Sequence, residues 1–255
     1  MVFGLNQLIV LKSRDEIKRM AEACSIVAEA LDGVKKIIAP GITTIELDKF
    51  VESFIISKGA TPAFKGYRGY PASLCTSVNE QVVHGIPSMR KLKQGDIISL
   101  DLGVYYRGFY GDTAATFPVG EINEAAKRLL AVTEEALYRG IECAEAGRRL
   151  SDISFSIQSY VEENRFSVVR NFVGHGIGRE LHEEPQVPNF GRQGEGPLLV
   201  PGMTLAIEPM INEGTWEVVI LDDGWTAVTG DGSLSAHFEH TVAVMEDGTY
   251  ALTKL

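Results

Sequence analysis

The chain has 255 residues, is 45% hydrophobic and 23% charged, and carries a formal net charge of −10. That length and composition permit a sizeable core without disulfides, and an acidic balance with no block of like charge argues against broad nucleic-acid binding. Three scattered cysteines, Cys24, Cys75 and Cys143, exclude a disulfide framework and fit a reducing compartment. Met1 to Val10 lacks the basic start and cleavage site of a leader, and no apolar run reaches membrane-spanning length, so a cytoplasmic protein is expected.

In chain order, Ile17, Met20, Cys24, Val27, Leu31 and Val34 recur at helical spacing and predict a helix over 15–38. After Gly41, Thr43-Thr44-Ile45-Glu46 supplies N-cap residue types for a helix over 44–57. β-rich sequence follows at 73–77, 97–106 and 109–117, the last two joined by a short turn around Gly108. The order then repeats. A helix over 124–144 is marked by Leu129, Leu130, Val132, Leu137 and Ile141; Gly147 follows, and Ser151-Asp152 supplies N-cap residue types for a helix over 151–163. Strands follow at 168–173, 203–211, 217–221, 226–229 and 236–244. Helix, helix, then strands in each half, without strand–helix alternation, predicts an α+β fold with antiparallel strands.

The repeat extends to individual residues. Leu92-Lys93-Gln94-Gly95 and Leu199-Val200-Pro201-Gly202 each precede an acid by six residues from the glycine, Asp101 and Glu208, at a constant offset of 107. Leu31 to Gly41 and Leu137 to Gly147 repeat at an offset of 106. No Pro/Gly/Ser-rich linker intervenes, so one domain over 1–255 is expected, with pseudo-twofold halves near 14–118 and 122–250. The second half carries 31 residues between Glu208 and Glu239 where the first has 11 between Asp101 and Asp112, and the Gly, Trp and Asp residues of 214–232 suggest a hairpin insertion.

Each half thus offers two acids on β-like segments, Asp101 and Asp112, then Glu208 and Glu239. Gathered at a shared seam they repel one another unless a multivalent cation lies between them. Glu208 follows Leu205-Ala206-Ile207, and Glu239 precedes Thr241-Val242-Ala243-Val244. An unpaired carboxylate in such apolar strands is costly. His175, in Gly174-His175-Gly176, is the best imidazole candidate; its glycines let the backbone approach closely and leave the ring open to a ligand. One imidazole among carboxylates favours Mn, Fe, Co or Zn, and the set exceeds what a single catalytic zinc takes. It suits two ions about 3.5–4 Å apart, which points to hydrolysis.

These residues sit in motifs that resemble the type I methionine aminopeptidases of the pita-bread fold: Cys75-x-Ser77-x-Asn79-Glu80, Val83-His84-Gly85-Ile86-Pro87, Gly111-Asp112-Thr113, Gly174-His175-Gly176-Ile177-Gly178-Arg179-Glu180-Leu181-His182, Ile207-Glu208-Pro209 and Ser235-Ala236-His237-Phe238-Glu239-His240-Thr241. The resemblance covers essentially the whole chain. It implies an antiparallel curved sheet with helices on its outer face, and a cytoplasmic, monomeric enzyme acting on the N-terminal methionine of nascent chains, with a small second residue preferred and transient ribosome contact. It implies that Asp101, Asp112, His175, Glu208 and Glu239 hold two divalent ions. His84 would contact the scissile amide or leaving group, His182 the substrate carbonyl, and Glu208 would also accept the proton of the attacking water. Phe64, Tyr67, Tyr70, Cys75, Leu181 and Trp225 would line the methionine pocket, and Asn79 and Ser235 match positions of a monovalent cation.

Two features depart from the family pattern. Leu181 replaces the aromatic often found before the second histidine, and Gly103 stands where a threonine is common, an Asp-x-Gly spelling shared with proline-specific relatives. A proline-specific aminopeptidase or dipeptidase is therefore the first alternative, although the first helix begins too soon after Met1 for the extra N-terminal domain of such relatives. A non-catalytic binding protein of this fold is the second, opposed by the presence of all five ligands and both accessory histidines.

Overall fold

The computed structural model describes residues 8–254, so residues 1–7 of the stretch read for a leader lie outside the described residues. Among the described residues no helix is long and apolar enough to cross a membrane. Four helices form where the spacing predicts them: α1 (Arg14–Lys35), α2 (Thr44–Ser57), α3 (Glu124–Cys143) and α4 (Leu150–Glu163). α1 opens with a capping box, in which the Glu16 carboxylate accepts the Ser13 N–H at 2.8 Å and the Ser13 hydroxyl accepts the Glu16 N–H at 3.3 Å. Glu46 accepts the Thr43 N–H at 2.8 Å in the same way.

Ser151 does not cap α4. The cap is Arg149, whose N–H donates to Asp152 at 2.9 Å, while the Ser151 hydroxyl is engaged by the Glu195 carbonyl at 2.6 Å. The helix starts early because Leu150 N–H is already held by the Pro197 carbonyl at 2.9 Å.

The duplication is written in backbone hydrogen bonds. Gly41 N–H donates to Leu92 O at 2.7 Å, and Gly147 N–H to Leu199 O at 2.9 Å. Leu92 N–H donates to Ile42 O at 2.9 Å, and Leu199 N–H to Arg148 O at 2.8 Å. Gly95 N–H donates to Val119 O at 3.0 Å, and Gly202 N–H to Val244 O at 2.9 Å. Each glycine turn therefore ties a helix pair to the strand that will carry an acid.

The strands pair antiparallel, as predicted, in the expected α+β arrangement. The nine-stranded sheet runs Thr61–Pro62, Ile97–Tyr106, Phe109–Pro118, Glu239–Met245, Thr204–Ile207, Gly174–Gly176, Glu183–Val187, with Cys75–Val78 added to Ile97–Tyr106 and Gly248–Ala251 to Glu239–Met245. Strands from the two halves meet where Phe109–Pro118 pairs with Glu239–Met245. Two three-stranded sheets complete the fold, one built on Met210–Asn212 and one on Ala227–Thr229. The latter is the anticipated insertion: Val218–Ile220 pairs with Ala227–Thr229, which pairs in turn with Gln81–Val83.

Two long strand predictions are overturned. The segment 203–211 breaks into Thr204–Ile207 and Met210–Asn212, because Pro209 has no N–H to offer the ladder. The segment 236–244 breaks at Phe238, between Ser235–His237 and Glu239–Met245, which belong to different sheets. The segment 168–173 likewise yields Ser167–Val168 and, beyond it, Gly174–Gly176.

Alternation along the strands divides the sheet into two faces. Ile98, Leu100, Leu102 and Val104 pack in one core with Val27, Val34, Leu47 and Val51 of α1 and α2. Leu205, Ile207, Val242 and Val244 pack in another with Leu129, Leu137, Ile153 and Ile157 of α3 and α4. The helices therefore cover one face and leave the opposite face for the acids.

The repeat-related glycines differ in one respect. Gly95 has φ +92° and open surroundings, a Cβ there meeting nothing nearer than 3.9 Å; Gly202 has φ +95°, and its Cβ would lie 2.8 Å from the Lys12 carbonyl oxygen. The left-handed backbone alone makes alanine destabilising by about 1–2 kcal/mol at either site. Urea denaturation is expected to show a larger loss for Gly202→Ala than for Gly95→Ala, and equal losses would show that the Lys12 segment yields freely.

Candidate metal centre and active site

The register of the sheet assembles the site. Asp101 pairs with Cys75 on one side and Ala114 on the other, and Ala114 pairs with Glu239. Asp112 pairs with Gly103, two residues from Asp101, and His175 pairs with Ala206, itself the partner of Thr241. Paired residues, and residues two apart, share a face of an antiparallel sheet. Cys75, Asp101, Asp112, Glu239 and His175 therefore project from the face opposite the helices. Glu208, two residues beyond Ala206, continues the series just past the strand end.

Ligand atoms of Asp112, His175 and Glu239 all lie within 4.8 Å of one another. His175 Nε2 stands 3.6 Å from Glu208 Oε1 and 4.0 Å from Asp112 Oδ2. Its Nδ1 is 2.9 Å from the Gly176 carbonyl, which fixes the ring and leaves Nε2 facing the carboxylates. The flanking glycines serve backbone approach alone: a Cβ at Gly174 would lie 2.3 Å from Ala206 O, and one at Gly176 2.2 Å from Glu184 O. This close packing leaves His175 only 7% exposed, yet its ring lines the cavity beside the acids, as expected of a ring open to a ligand.

The electrostatics call for a cation. Asp101 Oδ1, Asp112 Oδ1 and Glu239 Oε1 are buried without a hydrogen-bond partner, an arrangement native proteins avoid. Burial pushes Asp101 and Glu208 each up to about 7, with the Glu208 charge adding to the rise at Asp101. Asp112 and Glu239 are held well above the ordinary carboxylate range, by burial first and then by the neighbouring acids. Four carboxylates and an imidazole, three of the acids with unpartnered oxygens, fit divalent ions of the Mn, Fe, Co or Zn type.

A cavity opens directly onto this face, and the six pocket residues expected from the sequence, Phe64, Tyr67, Tyr70, Cys75, Leu181 and Trp225, all line it. Tyr70 and Trp225 meet edge to face at 5.2 Å, and the Tyr70 hydroxyl donates to the Gly85 carbonyl at 3.0 Å. Asp223 caps the turn that presents Trp225, accepting the Trp225 and Thr226 N–H groups at 2.8 Å. Leu181 is 2% exposed and packs with Met20, Phe109 and Ile177, so it serves the core and the cavity wall together. The absent side chain at Gly103 makes room for Phe64, whose ring would lie 2.8 Å from a Cβ there.

The two accessory histidines flank the acids. The His182 ring stacks on Tyr67 and lies 4.2 Å from the His175 ring, and the Tyr67 hydroxyl is 2.8 Å from His182 Nδ1. His84 adopts a left-handed backbone, φ +62°, and stands edge-on to Phe172 at 5.2 Å and to Trp225 at 6.4 Å. Burial draws His84 down to about 4 and His182 down to about 3, the latter also through His175, so both are neutral near pH 7.

Asn79 and Ser235 lie outside the cavity lining. Ser235 N–H donates to Asn79 O at 2.9 Å, the Asn79 side chain bonds Asp96 and Ile97, and the Ser235 hydroxyl bonds Asn212. Three further residues reach the site without having been anticipated: Arg68 on the cavity wall, Phe172 against His84, and His237, whose Nε2 is 3.5 Å from Glu208 Oε2. His237 was legible in principle, since it lies two residues before Glu239.

These carboxylates set the pH dependence of the metal-stripped protein. Asp101 and Glu208 rise from ordinary values of 3.8 and 4.5 to about 7 on folding, so the folded state binds more protons between those limits. Their contribution to stability is complete below about pH 4 and is lost as pH climbs through 7. Thermal melts of stripped protein are expected to show this fall, and added Mn(II) to reverse it with proton release. A melting temperature indifferent to Mn(II) at pH 7.5 would contradict the cation reading.

The description Metallopeptidase family M24 matches residues 18–246. The chain is 57% identical to the methionine aminopeptidase of Clostridium perfringens over 246 residues, covering 96% of this chain and 99% of that protein. It is 54% identical to methionine aminopeptidase 1 of Bacillus subtilis, covering 97% of this chain and all of that protein. The crystal structure of methionine aminopeptidase from Thermotoga maritima superposes with a TM-score of 0.96 at 51% identity, over 97% of this chain and 100% of that one. With the acids on one sheet face and the family pattern along nearly the whole chain, the protein belongs to metallopeptidase family M24, among its methionine aminopeptidases.

Proposed function

We propose that this chain hydrolyses the peptide bond after an N-terminal methionine, using two divalent ions held by Asp101, Asp112, His175, Glu208 and Glu239. The observation that carries the reading is the opening of the buried acidic face straight onto an aromatic, thiol-containing cavity. Aromatic faces and a soft thiol suit a thioether side chain, and burial keeps the Cys75 thiol well above its ordinary pKa, hence protonated.

When bound, the ions supply Lewis acidity, lowering the pKa of water and polarising the substrate carbonyl. The chain supplies the rest. Glu208, at the strand end, accepts the proton of the attacking water. The Tyr67 hydroxyl stands 2.8 Å from His182 Nδ1; with Tyr67 as the donor, the proton of the neutral ring lies on Nε2, where it stabilises the developing oxyanion. His84, neutral and fixed between Phe172 and Trp225, addresses the amide nitrogen and the leaving group. The wall formed by His84 and the acid-bearing strands limits space beyond the scissile bond, so a small second residue is preferred.

The same reading makes nascent chains in the cytoplasm the substrate, met by a monomer in transient contact with the ribosome; three free cysteines support a reducing compartment. A monovalent cation beside Asn79 and Ser235 is supported by the motif match.

Mass-spectrometric product analysis of the Mn(II)-supplied enzyme tests the activity. Methionine release is expected from Met-Ala-Ser, with Met-Lys-Ser, Leu-Ala-Ser and Ala-Pro-Ser left intact. Cleavage of Ala-Pro-Ser instead would shift the chain to proline-specific chemistry, and silence on every peptide with metal bound would favour a binding protein. Glu208→Gln is expected to retain the circular dichroism of the parent and lose at least about 10²-fold in kcat; near-parental turnover would remove Glu208 from the proton-accepting role.

A further inference from the structure

His237 has no task in that mechanism, yet it is placed with care. The residue is 1% exposed, and neither ring nitrogen has a hydrogen-bond partner. Its backbone is clamped from both sides by Thr116, whose hydroxyl donates to His237 O at 2.9 Å and accepts the His237 N–H at 2.9 Å. The ring aims Nε2 at Glu208 Oε2, 3.5 Å away, while the other oxygen of that carboxylate faces His175 Nε2 at 3.6 Å. Glu208 is thus bracketed by two imidazoles, one for each oxygen.

A buried polar ring without partners is destabilising, and an apolar side chain would avoid that cost. We propose that His237 is a positioning residue: its Nε2–H donates to Glu208 Oε2 and fixes the plane of the carboxylate so that Oε1 faces the reacting atoms. The proposal rests on the reading of Glu208 as proton acceptor. A neutral ring has a single N–H, and Nε2 is the nitrogen with an acceptor in reach. The remaining gap closes by rotation about the terminal carboxylate torsion, which is broad, and catalytic hydrogen bonds commonly tighten in the working complex. Ligation of an ion by His237 is the competing use of the ring; His237 does not line the cavity onto which Asp101, Asp112, His175, Glu208 and Glu239 all open.

Three variants separate these uses. Glutamine reaches about as far as Nε2 and keeps a donor, asparagine is too short, and leucine fills the space without a donor. Expected on Met-Ala-Ser are a near-parental kcat for His237→Gln and losses of about 10–100-fold for His237→Asn and His237→Leu, with KM little changed. Calorimetric Mn(II) titration of each stripped variant is expected to give the parental stoichiometry. Equal kcat for the Asn and Gln variants, or a rise in KM at constant kcat, would overturn positioning; loss of one Mn(II) equivalent would assign ligation instead. If His237→Leu does not fold, the Asn–Gln pair decides.

A readout independent of turnover is the imidazole ¹H–¹⁵N correlation spectrum of the stripped and zinc-loaded protein. The Nε2–H tautomer is expected for His237, with its resonance moved by Glu208→Gln. The Nδ1–H tautomer would refute the bond even in an active enzyme. Inactivity of the parent on every peptide would instead remove the functional reading and leave the bond to be judged from the spectrum.

Discussion

Four carboxylates crowded on one face of a sheet are the constraint on which the rest of the structure depends. Two unit charges about 5 Å apart repel by roughly 3 kcal/mol at an effective dielectric near 20, and desolvation adds to that. The chain leaves the conflict unresolved: three of the acids keep an unpartnered buried oxygen, and all four are pushed above their ordinary pKa. A site held this way takes up protons without a cation and gives them up to one. Its stability and chemistry are therefore one electrostatic question.

The duplication explains how such a face is built without collapse. Each half anchors a helix pair to its acid-bearing strand by the same glycine-turn hydrogen bonds, and each spends its inward alternation on apolar packing under those helices. The acids are displaced to the opposite face by alternation alone. Symmetry does not extend over the cavity beside the acids. Phe64, Tyr67, Tyr70, Cys75 and His84 come from the first half, Leu181 and His182 from the second, and Trp225 from the hairpin insertion that the first half lacks. The repeat supplies the charge, and the insertion adds an aromatic wall beside it.

Much of this was legible because hydrophobic period and glycine position are local signals. The strand Ile97–Tyr106 and the helix Thr44–Ser57 have the predicted bounds, since each is punctuated by its own turn or cap. One error is local, since Pro209 stands in the sequence, and the others have tertiary causes. Proline stops the ladder at Glu208-Pro209, and the chain changes sheets at Phe238 within what reads as one continuous strand. Arg149 caps α4 because a strand-like bridge from Leu198 holds the residue in extended form, which no local pattern announces. His237 escaped notice because its partner, Glu208, is distant in sequence.

The shape of the cavity wall follows from a trade between side chains. A leucine in place of an aromatic at position 181 suggests a wider cavity when considered alone. Phe64 and Leu181 share one apolar neighbourhood, however, with Met20, Phe109 and Ile177, and both line the cavity. The Phe64 ring lies where a side chain on Gly103 would stand. Gly103 is therefore accounted for by packing: it admits an aromatic ring from the first half to a wall where the second half supplies only an aliphatic one. The Asp-x-Gly spelling that resembles proline-specific relatives has, in this chain, a cause in the pocket wall and needs no change of substrate to explain it.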